Sequence, residues 1–377
     1  MHPGRGADLQ LDEGHPLRPG SDQTTRARRA LLRPCGAALA AAGALACLPR
    51  EAAAHVKWFA AYNVAAPPAA LPEVFSGTFI AVLALSALLM AVCFIYDGLA
   101  ADSGFEERID QMFEPLKGRG PDILRVSLGA FFLCLWLLGG ILLTPELKTG
   151  NEAISWFQLL LALSTIWWRT TFVAAIGVVV LYGMAVLNYG VFHLIDYPIF
   201  LGIAAYLTIH SLDLTRLKPY ALSILYAAIA QTLLWASIEK WAYASWTLPL
   251  LMQHQDITLG IDHRVYVMLA GFVEFVAAFL LLFGRLSQRL ASAMLLGIFL
   301  AAIVDFGKID AVGHLMIIVS LLVMTIEGNT IVNRAVQGRI QSLAIGGLRL
   351  AATYIGFILL FFLMYYGTHG LIFGGMA

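Results

Sequence analysis

The chain has 377 residues, of which 60% are hydrophobic and 13% charged, and its formal net charge is zero. A soluble domain carries roughly twice that share of charge, so the composition excludes a soluble globular protein, and the balanced charge argues against a nucleic-acid partner. The four cysteines, Cys35, Cys47, Cys93 and Cys134, offer neither a disulfide framework nor a Cys-based metal motif.

Residues 1–54 read as a targeting segment. Arg26, Arg28, Arg29 and Arg33 precede a short apolar run, Ala37 to Leu48, and Ala52-Ala53-Ala54 fits the small-residue cleavage rule. Cleavage after Ala54 makes His55 the mature N-terminus. Residues 55–76 follow as an outer segment. Pro67, Pro68 and Pro72 keep it extended, and it is placed to cover the outer openings of a bundle.

Apolar runs then recur to the C-terminus without the alternation of a transmembrane barrel. A helix needs about 20 apolar residues to cross the hydrocarbon. Ten spans are expected: 77–98, 123–143, 153–168, 170–189, 195–212, 218–237, 263–284, 289–305, 310–328 and 343–367. The expected fold is therefore an all-α polytopic bundle. With His55 outside, twelve Lys and Arg fall on inner loops and five (Lys57, Lys148, Lys240, Arg264, Lys308) on outer ones, as the positive-inside rule requires. These features point to a bacterial cytoplasmic membrane, with both mature ends outside.

The first inner loop, within 77–122, carries a short element. Ser103 and Glu106 have capping-box spacing, and Phe105, Ile109, Met112 and Phe113 share a helical face. It reads either as a helix lying on the membrane surface or as a packed turn. Spans 2–5 (123–217) and 6–9 (218–329) read as two parallel copies of a four-helix unit, leaving 330–377 for the last span. Each copy has a longer outer segment, an inner turn at arginine and a short outer hairpin with Ile-Asp, "HLIDYP" at 193–198 and "GKIDAVGH" at 307–314. Trp156, Trp235, Trp241 and Trp246 fit an outer interfacial belt, and Trp167 and Trp168 an inner one.

Polar groups at depth are the functional candidates. Counted from Arg264, Glu274 lies about 15 Å into its span at 1.5 Å per residue. An acid there must be protonated, paired or wet. Gln231, on the preceding span, is its expected hydrogen-bond partner. In the outer hairpin Asp310 is a suitable N-cap, Lys308 can pair with Asp305 or Asp310, and His314 shares a face with Asp310 at i,i+4. Glu239 and Lys240 close span 6. Six of the seven histidines after residue 54 fall at or near the outer side. Among them His55, His254 and His263 are the candidate metal ligands, with copper favoured by nitrogen donors. Structural roles in capping and packing compete with each of these readings.

The stretch "LAGFVEFVAAFLLLFGRLSQRLASAML" resembles the DoxX-like family of four-helix membrane proteins, through Gly271, Glu274, the leucines 280–282, Gly284 and Arg289-Leu290-Ala291, with Glu239-Lys240 as the polar pair closing the first helix. The resemblance covers roughly 219–329 and, more faintly, 123–212. It implies association with membrane redox systems, since the family includes a subunit of thiosulfate:quinone oxidoreductase. Three functions stay open: a redox-associated protein with an outward pocket for a quinone or small molecule, served by a membrane or exported redox partner; a proton-coupled transporter or copper-handling protein; and a non-catalytic scaffold subunit.

Overall fold

The computed structural model describes residues 56–253, 258, 260–337 and 342–374, and every regular element among them is helical. Two short helices, α1 (Val56–Phe59) and α2 (Leu71–Val74), lead into α3 (Gly77–Asp102) and α4 (Phe105–Phe113). They are followed by α5 (Gly120–Leu138), α6 (Glu152–Ser164), α7 (Thr171–Tyr189, entered through a 3-10 turn at Trp168–Thr170) and α8 (Val191–Leu194). The rest are α9 (Pro198–Ser211), α10 (Lys218–Ala242), α11 (Ala244–Gln253), α12 (His263–Phe283), α13 (Leu286–Glu327), α14 (Ile331–Gln337) and α15 (Leu343–Phe373).

Seven of the described helical segments are long and apolar enough to cross a membrane, and α6 and α9 are shorter apolar helices. The chain is accordingly a membrane-embedded helical protein. Side chains set the helix boundaries. Ser76 accepts from Phe79 N at 3.3 Å to start α3, and Asp262 accepts from Arg264 N and Val265 N at 3.0 and 3.2 Å to start α12. Prolines occupy the first turns of α5, α9 and α10, where no intrahelical donor is lost.

The longest helix, α13, is two arms. Gly307 breaks it with φ 75° and ψ −157°, a conformation that a Cβ would oppose. The arms fold back on each other: Ser292 Oγ lies 2.9 Å from Thr325 Oγ1, Arg289 Nη2 reaches Ile326 O at 3.5 Å, and the rings of Phe299 and His314 are 4.8 Å apart. The hairpin read from "DFGKIDAVGHL" is therefore present. Asp310 is not its N-cap, however. Helical geometry resumes at Lys308, so Asp310 sits inside the first turn, buried.

Polar groups gather at the two ends of the bundle. At one end Asp97 closes α3 by accepting from Arg285 N, Ser287 N and Ser287 Oγ at 2.8, 2.7 and 2.6 Å, and so caps the start of α13. Glu327 accepts from Gly118 N and Gly120 N at 2.9 and 3.1 Å. Helix α4 docks here by its acidic face, through Glu106 to Arg285 at 2.6 Å and Asp110 to Arg289 at 2.8 Å, while Phe105 and Met112 stay exposed. The capping box expected for α4 does not form. Gly104 is the cap residue, and Ser103 Oγ turns back to Ala100 O. Trp156 and Trp167 are exposed as belt residues would be, but Trp235 and Trp241 are core. Aromatic neighbours enclose them, with Trp241 stacked on Phe362 and Trp235 against Tyr365.

Candidate functional site

The opposite end holds two joined features, an apolar cavity and a buried ionic cluster. Both form around α1: Lys57 meets Asp196 in the turn before α9 and Glu239 of α10, and Trp58 meets His314 of α13.

The cavity has a volume of about 520 Å³ and lies among α9 to α13. Ile199, Phe200, Leu233, Leu269, Leu295 and Phe299 give it an apolar wall, and Trp58 of α1 contributes to its lining. Val273 and Ile298 line it and are also 43% and 46% exposed. Both lie midway along long apolar helices, so the cavity opens sideways, toward the zone where lipid would lie. A pocket of this size suits one small ligand.

Two charge pairs stand in this apolar wall. Lys240 Nζ lies 2.6 Å from Glu274 Oε2, with Ser237 Oγ 3.4 Å from the same oxygen. His314 Nδ1 lies 2.9 Å from Asp310 Oδ1. The His314 ring is packed between Trp58 and Phe299 at 4.6 and 4.8 Å. Gly313 makes this packing possible, because a Cβ there would meet Trp58 Cη2 at 2.1 Å.

The partner expected for Glu274 is thus replaced. Gln231 precedes Lys240 by nine residues, which puts it on the far side of α10 and about 13 Å along the axis at 100° and 1.5 Å per residue. Glu274 is well inside α12 but meets Lys240 in the last turn of α10. Trp241 Nε1 donates to Met268 O at 3.0 Å, so α10 ends level with the middle of α12. Helix α11 then packs against the remainder of α12.

Behind the cavity lies the ionic cluster. Lys57 Nζ is 2.8 Å from both Asp196 Oδ2 and Glu239 Oε2, and all three residues are buried. Burial alone would lower the Lys57 pKa, but the two carboxylates outweigh it and hold the ammonium above its ordinary 10.5. Tyr365 OH donates to Glu239 Oε1 at 3.3 Å. Nearby, Tyr197 OH donates to Glu146 Oε1, and His193 Nε2 faces the same oxygen at 3.5 Å. Asp196 and Tyr197 also line the cavity, which links the two features.

The segment after α1 is tied across this end by backbone groups. Tyr243 OH donates to Ala66 O at 2.7 Å, Tyr366 OH to Ala69 O at 2.7 Å, and Ala69 N to Ala242 O at 2.9 Å. The outer segment is not extended throughout, contrary to the expectation from Pro67, Pro68 and Pro72: it contains α1 and α2, and Pro72 sits in the first turn of α2.

The structure therefore brings Glu274, Lys240, Asp310 and His314 together in one cavity and leaves Gln231 outside it. Glu239 belongs to the neighbouring cluster. Asp305 is exposed, and Lys308 is half-buried just past the Gly307 break. Of the proposed metal ligands, His55 and His254 lie outside the described residues. His263 heads α12, and no group of three His, Cys, Asp or Glu suited to a metal occurs among the described residues. Lys57, Glu146, Asp196 and His193 were not singled out from sequence as a group. The only signals were a lysine in an otherwise apolar leader-proximal stretch and the Ile-Asp of the first hairpin. Compared with known protein families, curated proteins and solved structures, the chain matches none of them.

Proposed function

We propose that this chain is a DoxX-like, ten-span protein of a bacterial cytoplasmic membrane that binds a lipophilic molecule with a hydrogen-bonding head, of the quinone class, and works with a membrane or exported redox partner. The observation that carries this reading is the combination in one cavity of a side opening, a largely apolar wall and two charge pairs. A hydrocarbon tail would occupy the apolar wall and reach the bilayer past Val273 and Ile298. A polar head would be held by the two pairs that line the cavity, His314 with Asp310 and Lys240 with Glu274. Lys240 supplies a donor, and the His314 ring, oriented by Asp310, can donate or accept a proton. Charge pairs that are buried, like Asp310 with His314, or partly buried, like Lys240 with Glu274, add little to stability compared with apolar replacements, which favours a binding role for them. The two four-helix units, 123–217 and 218–329, would place the cavity chiefly in the second, with α9 of the first as one wall.

Purified protein tests this directly. Solvent extracts of the preparation are examined for quinone by chromatography, and decylubiquinone is titrated while tryptophan fluorescence is followed. Co-purified quinone, saturable quenching and at least a tenfold weaker affinity in H314A and E274Q support the reading. No quinone in the extract and no saturable quenching of the wild-type protein would overturn it.

A further inference from the structure

One buried group takes no part in the cavity chemistry. Glu146, in the loop between α5 and α6, is 8% exposed, and His193, on α8, is 2% exposed. Neither ring nitrogen of His193 has a hydrogen-bond partner among the described residues, and Glu146 Oε2 has none either. Leaving such groups buried is costly unless they serve a purpose. Their surroundings are specific. Tyr197 OH, at the cavity wall, donates to Glu146 Oε1, the oxygen that His193 Nε2 faces at 3.5 Å. The His193 ring is stacked by Tyr62 at 5.6 Å and Tyr189 at 5.8 Å, both only partly buried. The charged and titratable groups facing the pair are Lys57, Asp196 and Glu239, besides these three tyrosines. Burial and the Glu146 carboxylate push the Tyr62 phenol up to about 12, so Tyr62 stays a neutral neighbour of the ring.

We infer that Tyr197, Glu146 and His193 form a proton relay between the cavity and the outer end of the bundle. A proton reaching the Tyr197 oxygen from the cavity releases the phenolic proton to Glu146. Glu146 passes a proton to His193 Nε2, and the imidazolium loses one to solvent past Tyr62 and Tyr189. One proton enters at Tyr197 and one leaves from His193 Nδ1, no electron moves, and rotation of the Tyr197 hydroxyl and the Glu146 carboxyl with return of His193 to its first tautomer resets the chain. The relay rests on the cavity being a site where a bound head group exchanges protons. Its existence as a set of coupled groups does not depend on which molecule binds.

Infrared difference spectroscopy on the full chain in nanodiscs tests it. In the wild type, a carboxylic-acid C=O band and the ring band of isotope-labelled histidine should titrate together. E146Q should remove that C=O band and its coupling to the histidine band, and E146D should restore both if E146Q folds poorly. After an external pH jump, protonation of the Asp310–His314 pair should be at least tenfold slower in Y197F. Independent titration of the two bands, or an unchanged rate in Y197F, would overturn the relay. If decylubiquinone fails to bind while the coupled bands and the Y197F delay are observed, the quinone reading falls and the relay stands. E146Q should leave decylubiquinone affinity unchanged, because Glu146 does not line the cavity.

Discussion

Substituting Lys57 tests whether α1 is an integral part of the bundle. Lys57 meets Asp196 and Glu239 at 2.8 Å each, with side chains almost fully excluded from solvent. At an effective dielectric constant of 20, each contact is worth about 6 kcal/mol of Coulomb attraction. Desolvating the three ions offsets much of that, at several kcal/mol per ion. Lys57→Met keeps the apolar stem but leaves two carboxylates buried and facing each other. The expected loss is about 3–5 kcal/mol, or a fall in Tm of roughly 6–10 °C at about 2 °C per kcal/mol for a large chain. The assay is thermal unfolding of detergent-solubilised protein followed by size-exclusion fluorescence. The triple variant K57M/D196N/E239Q should recover at least half of the loss, since it removes the repulsion along with the lysine. A K57M protein as stable as wild type, or a triple variant no better than K57M, would refute the reasoning.

Other perturbations probe both ends. Asp97→Ala removes three hydrogen bonds at the start of α13 and should cost about 2–3 kcal/mol, as for a buried charged cap, read by the same unfolding assay, whereas Asp102→Ala at the end of the same helix should cost little. Gly313→Val forces the Trp58 ring out of its seat; Trp58 emission, isolated by difference from W58F, should shift to the red, and decylubiquinone affinity should fall. Asp110 gives a pH test. Burial raises its pKa, but hydrogen bonds from Arg289 and Lys117 outweigh this and hold it below the usual 3.8. Its contribution to docking α4 is thus present above 3.8 and lost as pH falls through the lowered value. A spin label at position 112 should stay ordered between about pH 8 and 5 and gain mobility only below about pH 3.8.

Much of the architecture follows from the sequence alone. The need of a buried backbone for internal hydrogen bonds makes each long apolar run a helix. Local chemistry marks the breaks: Gly307 in "DFGKIDAVGHL", Asp262 before α12, and the prolines at the helix starts. The His314–Asp310 pair was also legible, because i,i+4 neighbours on one helix need no knowledge of the rest of the fold. Contacts between helices were not. Whether Glu274 meets Gln231 or Lys240 depends on the rotation and axial offset of α10 against α12, which packing alone fixes. The same limit hid Asp97, whose partners lie 188 and 190 residues away, and Lys57, which finds Asp196 across 139 residues. Those pairings form because a charge withdrawn from water must find its counter-charge wherever the tertiary structure brings one, and linear spacing carries no record of where that is.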